Sequence, residues 1–240
     1  MAAMVRLNKY LANCGVGARR KCDDLIASGL VSVNGAVQSE LGSKVAVGVD
    51  RVTLRDALVE PVTRFQYLVL NKPRGVITTA RDERGRPSVL DLVQSNERLY
   101  PVGRLDRDTS GLLLLTNDGD FAYRLTHPKY EVKKTYEVQL NKVLQQDDKS
   151  RLEKGVRLEE GVTSRAVVSC PGFKAGSTVR ITIHQGWNRQ IRRMFEALGY
   201  RVAKLKRVRF GDLTVAGLRP GEWRKLRKSE IEQLKAGHGN

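Results

Sequence analysis

The sequence predicts an α+β protein: a small helix-rich N-terminal domain followed by a larger domain with a mixed, mostly antiparallel sheet. Three observations predict it. Residues 1–50 carry a pattern of their own, two short helices and a hairpin. Beyond residue 64, seven extended segments are interspersed with three helical ones. They alternate irregularly, without the repeated βαβ units that build a parallel sheet.

Each element follows from its local pattern. Residues 5–12 bring Leu7, Tyr10 and Leu11 to one helical face, and Gly15 and Gly17 punctuate the turn after it. Residues 18–28 place Cys22, Leu25 and Ile26 at helical spacing, with Gly29 as terminator. Leu30 to Val33, then Asn34-Gly35, then Ala36-Val37 predict a hairpin with a type I′ turn. Residues 51–64 read as a linker broken by Pro61. Residues 65–70 alternate aromatic and aliphatic side chains as a strand, which Asn71-Lys72-Pro73 should stop. Further strands are expected at 98–102, 112–116, 134–140, 164–170, 178–185 and 201–210, and helices at 120–125, 145–154 and 189–198. The larger domain then spans 65–228, and residues 229–240 form a polar tail with a short helix, in which Gly237 and Gly239 flank His238.

Composition narrows the function classes. Lys plus Arg number 43 against 26 Asp plus Glu, a net charge of +17. A chain this basic generally meets a polyanion, most often nucleic acid. No segment approaches the ~20 apolar residues of a membrane helix, and no apolar run of a signal peptide opens the chain. No basic helix carries an apolar face for a membrane surface. These features predict a cytoplasmic protein without a membrane partner. Cys14, Cys22 and Cys170 form no Cys-x-x-Cys pair, and His127, His184 and His238 fall at no ligand spacing. Reduced, structural thiols are expected. No dinucleotide or phosphate-loop fingerprint is present. The expectation is therefore no metal and no cofactor, with side chains alone carrying the chemistry.

The most informative stretch is Gly103-Arg104-Leu105-Asp106-Arg107-Asp108-Thr109-Ser110-Gly111, followed by Leu112 to Leu115. Four leucines bounded by turn residues read as a buried strand. Asp106 stands at its mouth between two arginines, whose cations stabilise its negative charge. A carboxylate held there suits a nucleophile or general base. Taken alone, a solvated acidic loop is the more ordinary outcome.

A second stretch runs Gly186-Trp187-Asn188-Arg189-Gln190-Ile191-Arg192-Arg193-Met194-Phe195. Asn188 is a candidate N-cap, and Ile191, Met194, Phe195 and Leu198 form a core-facing stripe. Arg192 lies at the edge of that stripe, whereas Arg189 and Arg193 point away toward phosphates or water. A half-buried Arg192 would want a carboxylate; the alternative is a stem along the helix with its head in water. From Gly186 to Lys228 there are thirteen basic and three acidic residues, +10 of the total charge. Lys204, Lys206, Arg207 and Arg209 lie on one expected strand, Lys204 and Lys206 on one face, and the cluster reads as a nucleic-acid backbone surface. In the N-terminal helices Arg6, Lys9, Arg19, Arg20 and Lys21 could form a second basic face, although residues 1–60 carry only +2.

Arg104-Leu105-Asp106 followed by Thr109-Ser110-Gly111 resembles the catalytic motif of pseudouridine synthases. Gly103, the spacing to Thr116-Asn117-Asp118-Gly119 and the segment His127 to Tyr136 point to the bacterial ribosomal subfamily: small-subunit synthase A and large-subunit synthases B, E and F. The likeness runs from about Val5 to Leu226. The segments HPKYEVKKTYEV and GWNRQIRRMFEALGY are nearer to the large-subunit types, B in particular, with synthase A close behind. The order helix, GVGARR, helix, VSVNG resembles the RNA-binding domain first described in ribosomal protein S-four. The resemblance implies a monomeric, cofactor-free isomerase that converts a specific uridine of ribosomal RNA, in a stem-loop of free RNA or of a pre-ribosomal particle, to pseudouridine. It gives Asp106 the catalytic role, Arg104 the space left by the flipped nucleotide, and Tyr136 the stacking contact with uracil. It pairs Arg192 with the catalytic aspartate.

Three alternatives stand beside it. One is a non-catalytic RNA-binding or ribosome-assembly protein, which leaves the joint occurrence of Arg104-Leu105-Asp106 and Arg192 unexplained. Another is the same chemistry on small-subunit RNA. The third is a glycoside-cleaving enzyme using Asp106 and Asp108, which would release free base.

Overall fold

The computed structural model describes residues 2–80, 82, 84–170 and 178–236. Two compact units divide the chain: residues up to Phe65 form the first, and Gln66 onward, apart from Asn117–Gly119, the second.

In the first unit, strand β1 (Met4–Arg6) leads into helix α1 (Leu7–Asn13), and α2 (Arg19–Ala27) follows. The helices bury Leu7, Tyr10, Leu11, Cys22 and Ile26 in a common core with Val31, Val45 and Val52. Strands β2 (Val31–Val33) and β3 (Ala36–Gln38) form the expected hairpin. Asn34 and Gly35 both have positive φ, 52° and 83°, as a type I′ turn requires. Strand β4 (Lys44–Ala46) pairs with β1.

The unit does not end at residue 50. Strands β5 (Val52–Leu54) and β6 (Ala57–Leu58) complete a four-stranded sheet, order β3-β2-β5-β6. The first part of the expected linker 51–64 is thus a hairpin of this sheet. Its turn is built from Arg55 and Asp56, both at positive φ, where neither Gly nor Asn advertises the geometry. Val52 is fully buried, and Tyr10 Oη donates to Val59 O at 3.2 Å.

The second unit contains β7 (Tyr67–Lys72), β8 (Tyr100–Val102), β9 (Thr109–Thr116), α3 (Gly119–Thr126), β10 (Lys134–Leu140), α4 (Gln146–Lys154), the small hairpin β11 (Arg157–Leu158) and β12 (Gly161–Val162), β13 (Val167–Ser169), β14 (Thr178–Ile183), α5 (Gln190–Glu196), β15 (Val202–Phe210), β16 (Leu213–Thr214), β17 (Trp223–Lys225) and α6 (Lys228–Ala236). Its main sheet runs β13-β14-β10-β15-β9-β7-β17, with β8 joined to β9 and β16 to β15. Among the described strand pairings of this sheet only β15 with β9 is parallel, so the sheet is mixed and mostly antiparallel, as expected.

Two starts and stops differ from the sequence pattern. Strand β7 runs through Asn71 and Lys72, because both side chains find partners inside: Asn71 Nδ2 donates to Leu218 O at 2.8 Å. Strand β9 begins at Thr109, so Thr109-Ser110-Gly111 is strand and pairs with β15. Gly111 makes that pairing possible. At φ 105° a Cβ there would lie 2.2 Å from Arg207 O.

Helices α4 and α5 cover one face of the β10, β13, β14 and β15 region through Val138, Leu152, Ile181, Met194 and Phe195. The β7–β9 region is covered on both faces. Phe121, Leu125 and Leu234 pack on one side, and Val76, Val89, Leu99 and Leu105 on the other. The expected polar tail is therefore a docked helix over Lys228–Ala236; residues 237–240, with His238, lie outside the described residues. Leu234 is buried, and Glu230 receives two bonds of 2.8 Å from Arg224 and one of 2.8 Å from Arg227 N.

Those bonds, Arg224's first, hold the Glu230 carboxyl down at about 2, against an ordinary 4.5. Its contribution to stability is complete above the ordinary value and is lost as pH falls through the lowered one. Glu230→Gln should therefore flatten the acid side of the stability profile. Urea midpoints between about pH 5 and about pH 3 should fall less steeply than in the parent chain; parallel curves would contradict the assignment. Gly111→Ala should destabilise by at least about 2 kcal/mol, since strand backbone cannot yield as a side chain would. An unchanged urea midpoint would show that β9 and β15 tolerate separation.

Candidate active site

The site is built around the turn that feeds β9. Lys72, at the end of β7, is fully buried. Its ammonium donates to Pro73 O at 3.0 Å, Asp106 O at 3.1 Å and Thr109 O at 2.9 Å. Burial pulls its pKa down to about 8, while Asp106 and Asp108 oppose that fall. Further bonds fix the turn from outside. Thr78 Oγ1 donates to Leu105 O at 2.7 Å, and Gly75 N donates to Arg107 O at 2.8 Å. Asp106 is held by its backbone, leaving its carboxylate partly exposed.

The carboxylate faces a cavity of about 390 Å³, within the usual range for small-molecule sites. Arg104, Asp106, Tyr136, Arg189, Leu205 and Arg207 line it, together with Lys134, Trp187, Asn188 and Phe210. Tyr136 is placed by strand register: it lies opposite Ile181 on β14 and Arg207 on β15. The structure thus brings Arg104, Asp106, Tyr136 and Arg189 together.

Arg192 is buried, and it meets a carboxylate, but the partner is Asp108 rather than Asp106. Its Nη2 lies 3.0 Å from Asp108 Oδ2, and its Nη1 donates to Val202 O at 3.0 Å. Burial lowers its pKa, and Asp108 counteracts this before Asp106 does. Arg189 bridges the two acids at 3.8 Å from Asp106 and 3.4 Å from Asp108. The cause lies in the β9 turn, which carries Asp108 toward α5 while Asp106 turns into the cavity.

Arg193 also departs from expectation. Still partly exposed, it forms a two-pronged pair with Glu160, at 2.8 and 2.6 Å, rather than standing open to a phosphate. That pair holds the Glu160 carboxyl below its ordinary range. Lys204 and Lys206 are exposed, yet on the sheet face opposite the cavity. Their neighbours Leu205 and Arg207 line the cavity, whereas Lys206 shares its face with Glu137, Arg180 and Thr135. In the first unit Arg6, Arg19, Arg20 and Lys21 are exposed and Lys9 is half-buried.

Two cations escaped the sequence pattern, Lys72 and Lys134, and a third, Arg207, was read only as part of the basic cluster on its strand. Lys134 is buried, donates to His184 O at 2.9 Å and sits 5.6 Å from the Phe210 ring. Its pKa falls to about 8, by burial first and then by Arg207. Arg207 is buried too; its Nε donates to Leu112 O at 2.7 Å, and among the described residues its Nη2 has no partner. The only available signal was the occurrence of a basic residue at an inward strand position. Among the described residues no group of three or more His, Cys, Asp or Glu could hold a metal ion.

A sheet-borne cavity with a clamped aspartate turn, a tyrosine two strands away and a ring of arginines defines a class. Residues 66–197 match the family described as RNA pseudouridylate synthase, and residues 5–50 match the S4 domain. The chain belongs to the RNA pseudouridylate synthase family. It is 48% identical to ribosomal large subunit pseudouridine synthase B of Bacillus subtilis, covering 97% of this chain and 96% of that one. It is 39% identical to an uncharacterized RNA pseudouridine synthase of Aquifex aeolicus, covering 96% and 93%. A solved structure described as a crystal structure of pseudouridylate synthase matches at 32% identity, with a TM-score of 0.71, over 96% of this chain and 99% of that one. The protein is an RNA pseudouridine synthase, an isomerase, with an N-terminal S4 domain. Among the described residues no helix is long and apolar enough to cross a membrane.

The arginine neighbours should separate in a rate assay. Arg192→Met strips Asp108 of its buried partner beside the Asp106 turn, and should lower the single-turnover rate at saturating enzyme by about 100-fold or more. Arg193→Met removes only the Glu160 pair and should change that rate less than about threefold. Equal losses would deny Arg192 its special position.

Proposed function

We propose that this enzyme isomerises a uridine of large-subunit ribosomal RNA to pseudouridine, with Asp106 as its catalytic residue. The observation that carries the reading is Asp106 itself: backbone clamped by Lys72, carboxylate open to the cavity, Tyr136 and Arg104 beside it. The 48% identity to a synthase named for the large subunit supports the choice of RNA.

The reaction breaks the bond from N1 of the base to C1′ of the ribose, turns the uracil, and joins C5 to C1′. The proton on C5 leaves and N1 takes one up, so the step balances without a co-reactant. A stacked base cannot reach Asp106, so the nucleotide is extruded at a cost of about a few kcal/mol. Arg104, on the rim, occupies the space it leaves, and the Tyr136 ring stacks on the uracil. Lys134 and Arg207, buried with no carboxylate bonded to either among the described residues, favour an anionic substrate. Arg189 reaches the cavity from the start of α5 and stands ready for a phosphate. Arg6, Lys9, Arg19, Arg20 and Lys21 of the S4 domain supply a further RNA contact, and Lys204 and Lys206 one on the back of the sheet. The enzyme works as a monomer.

Asp106→Asn keeps shape and hydrogen-bonding reach but removes the charge. Turnover should fall to background while RNA affinity stays within about threefold, because phosphate contacts dominate binding. Mapping pseudouridine in ribosomal RNA from cells with and without the protein locates the target. Loss of a small-subunit position, or of none, would sink the large-subunit reading, and multiple turnover by the Asn variant would remove Asp106 from its centre.

A further inference from the structure

Around the pocket-lining Thr126, from Tyr123 to Tyr130, the chain makes an exposed aromatic cluster that the chemistry above does not use. Tyr123, near the end of α3, and His127, one helical turn later, place their ring centroids 4.7 Å apart. Tyr130 closes a short 3-10 turn over Pro128–Tyr130 and stands edge-on to Tyr123, at 6.2 Å and 88°. Tyr123 and Tyr130 are 44% and 37% exposed.

Two cations attend these rings. Lys129 Nζ lies 4.7 Å from the Tyr130 centroid and 5.7 Å from that of Tyr123, and the Arg124 guanidinium 5.9 Å from Tyr130. Burial does not explain the arrangement, because the rings lie outside the core that Phe121 and Leu125 enter from the same helix. The turn is independently secured: His127 Nδ1 accepts from Lys129 N at 3.3 Å.

The cluster is continuous with the active-site rim. Thr126, between Tyr123 and His127, lines the cavity beside Gly103 and Arg104; a Cβ at Gly103 would lie 3.6 Å from its methyl group. Exposed rings with neighbouring cations are what sequence-tolerant single-strand recognition uses, base on ring and phosphate on ammonium or guanidinium. We propose that Tyr123 and Tyr130 form a stacking platform for an unpaired nucleotide adjacent to the flipped uridine, with Lys129 and Arg124 on its phosphates. The perpendicular rings present separate faces, so the platform holds the neighbour while the target enters the cavity. This rests on the reading of the chain as an enzyme acting on ribosomal RNA.

The test uses full-length protein and ribosomal RNA from cells lacking it. Tyr123→Ala/Tyr130→Ala should raise the half-saturating RNA concentration about tenfold or more, and leave the single-turnover rate at saturation within about threefold. Tyr123→Phe/Tyr130→Phe keeps both faces and should behave as the parent. Tyr123→Leu/Tyr130→Leu keeps bulk without a π face; it should match the Ala pair, and it stands in if the Ala pair fails to fold. Ultraviolet irradiation of the parent complex should crosslink the peptide bearing Tyr123 and Tyr130 to a nucleotide beside the target.

An unchanged half-saturating concentration in both the Ala and Leu pairs would overturn the proposal. So would a Phe pair as impaired as the Ala pair, or a crosslink to a remote nucleotide. If the parent forms no pseudouridine on this RNA, the functional reading fails. The crosslink, compared between parent and Leu pair, then decides the platform by itself: loss in the Leu pair supports it, and retention overturns it.

Discussion

The rest of the site depends on one buried ammonium. Lys72 carries its charge out of water, and the carbonyls of Pro73, Asp106 and Thr109 replace the lost hydration. Three oxygens converging on one nitrogen tie the end of β7 to the first residue of β9 and to the Asp106 turn between them. The depression of its pKa to about 8 records what burial costs. The return is a turn with little freedom, which a partly exposed carboxylate needs if it is to meet a reacting atom within a few tenths of an ångström. Gly111 extends the same constraint to β15, because its missing side chain lets Arg207 O approach. The aspartate, the tyrosine strand and Arg207 are thereby parts of one rigid sheet.

That sheet also sorts the basic residues. On β15, Leu205 and Arg207 face the cavity, while Lys204 and Lys206 face away. A positive stretch of sequence thus becomes two surfaces with different environments. Inside, Lys134 and Arg207 are desolvated, and Lys134 loses proton affinity in consequence. Outside, Lys206 shares a solvated face with Arg180, which pairs with Glu137 at 2.9 Å. The total charge says that an anion is bound; only the pleat says where.

Much of this was legible in the sequence, for physical reasons. The leucine run and its preceding turn identified β9, and the stripe Ile191, Met194, Phe195 and Leu198 identified the buried edge on which Arg192 lies. Both signals are local, set by periods of two and 3.6 residues. The Asn34-Gly35 turn was equally local. What escaped needed partners far along the chain. Glu160 meets Arg193 across a separation of 33 residues, and Asp106 meets Lys72 across 34. Lys72 sits in an Asn-Lys-Pro sequence that imitates a strand end, yet tertiary acceptors keep it in β7. The Arg55-Asp56 turn escaped because neither residue favours positive φ by itself, so β5 and β6 were read as linker.

The exchange of Asp106 for Asp108 as the partner of Arg192 shows how two neighbouring acids divide their tasks. A buried arginine requires a close carboxylate, and Asp108 supplies it at 3.0 Å. Had Asp106 filled that place, its oxygens would be committed to a short ion pair and turned away from the cavity. Instead the nearest ion-pair partner of its carboxylate among the described residues, Arg189, stands at 3.8 Å, outside hydrogen-bonding distance. Arg189 leans further toward Asp108, at 3.4 Å, from a left-handed backbone position at the start of α5. Asp108 therefore anchors α5 to the β9 turn and absorbs most of the arginine charge. Asp106 is held by its own backbone, with its side chain at the cavity. Spacing the two acids by one residue in a turn, rather than along a strand, is what lets one hold the buried arginine and the other line the cavity.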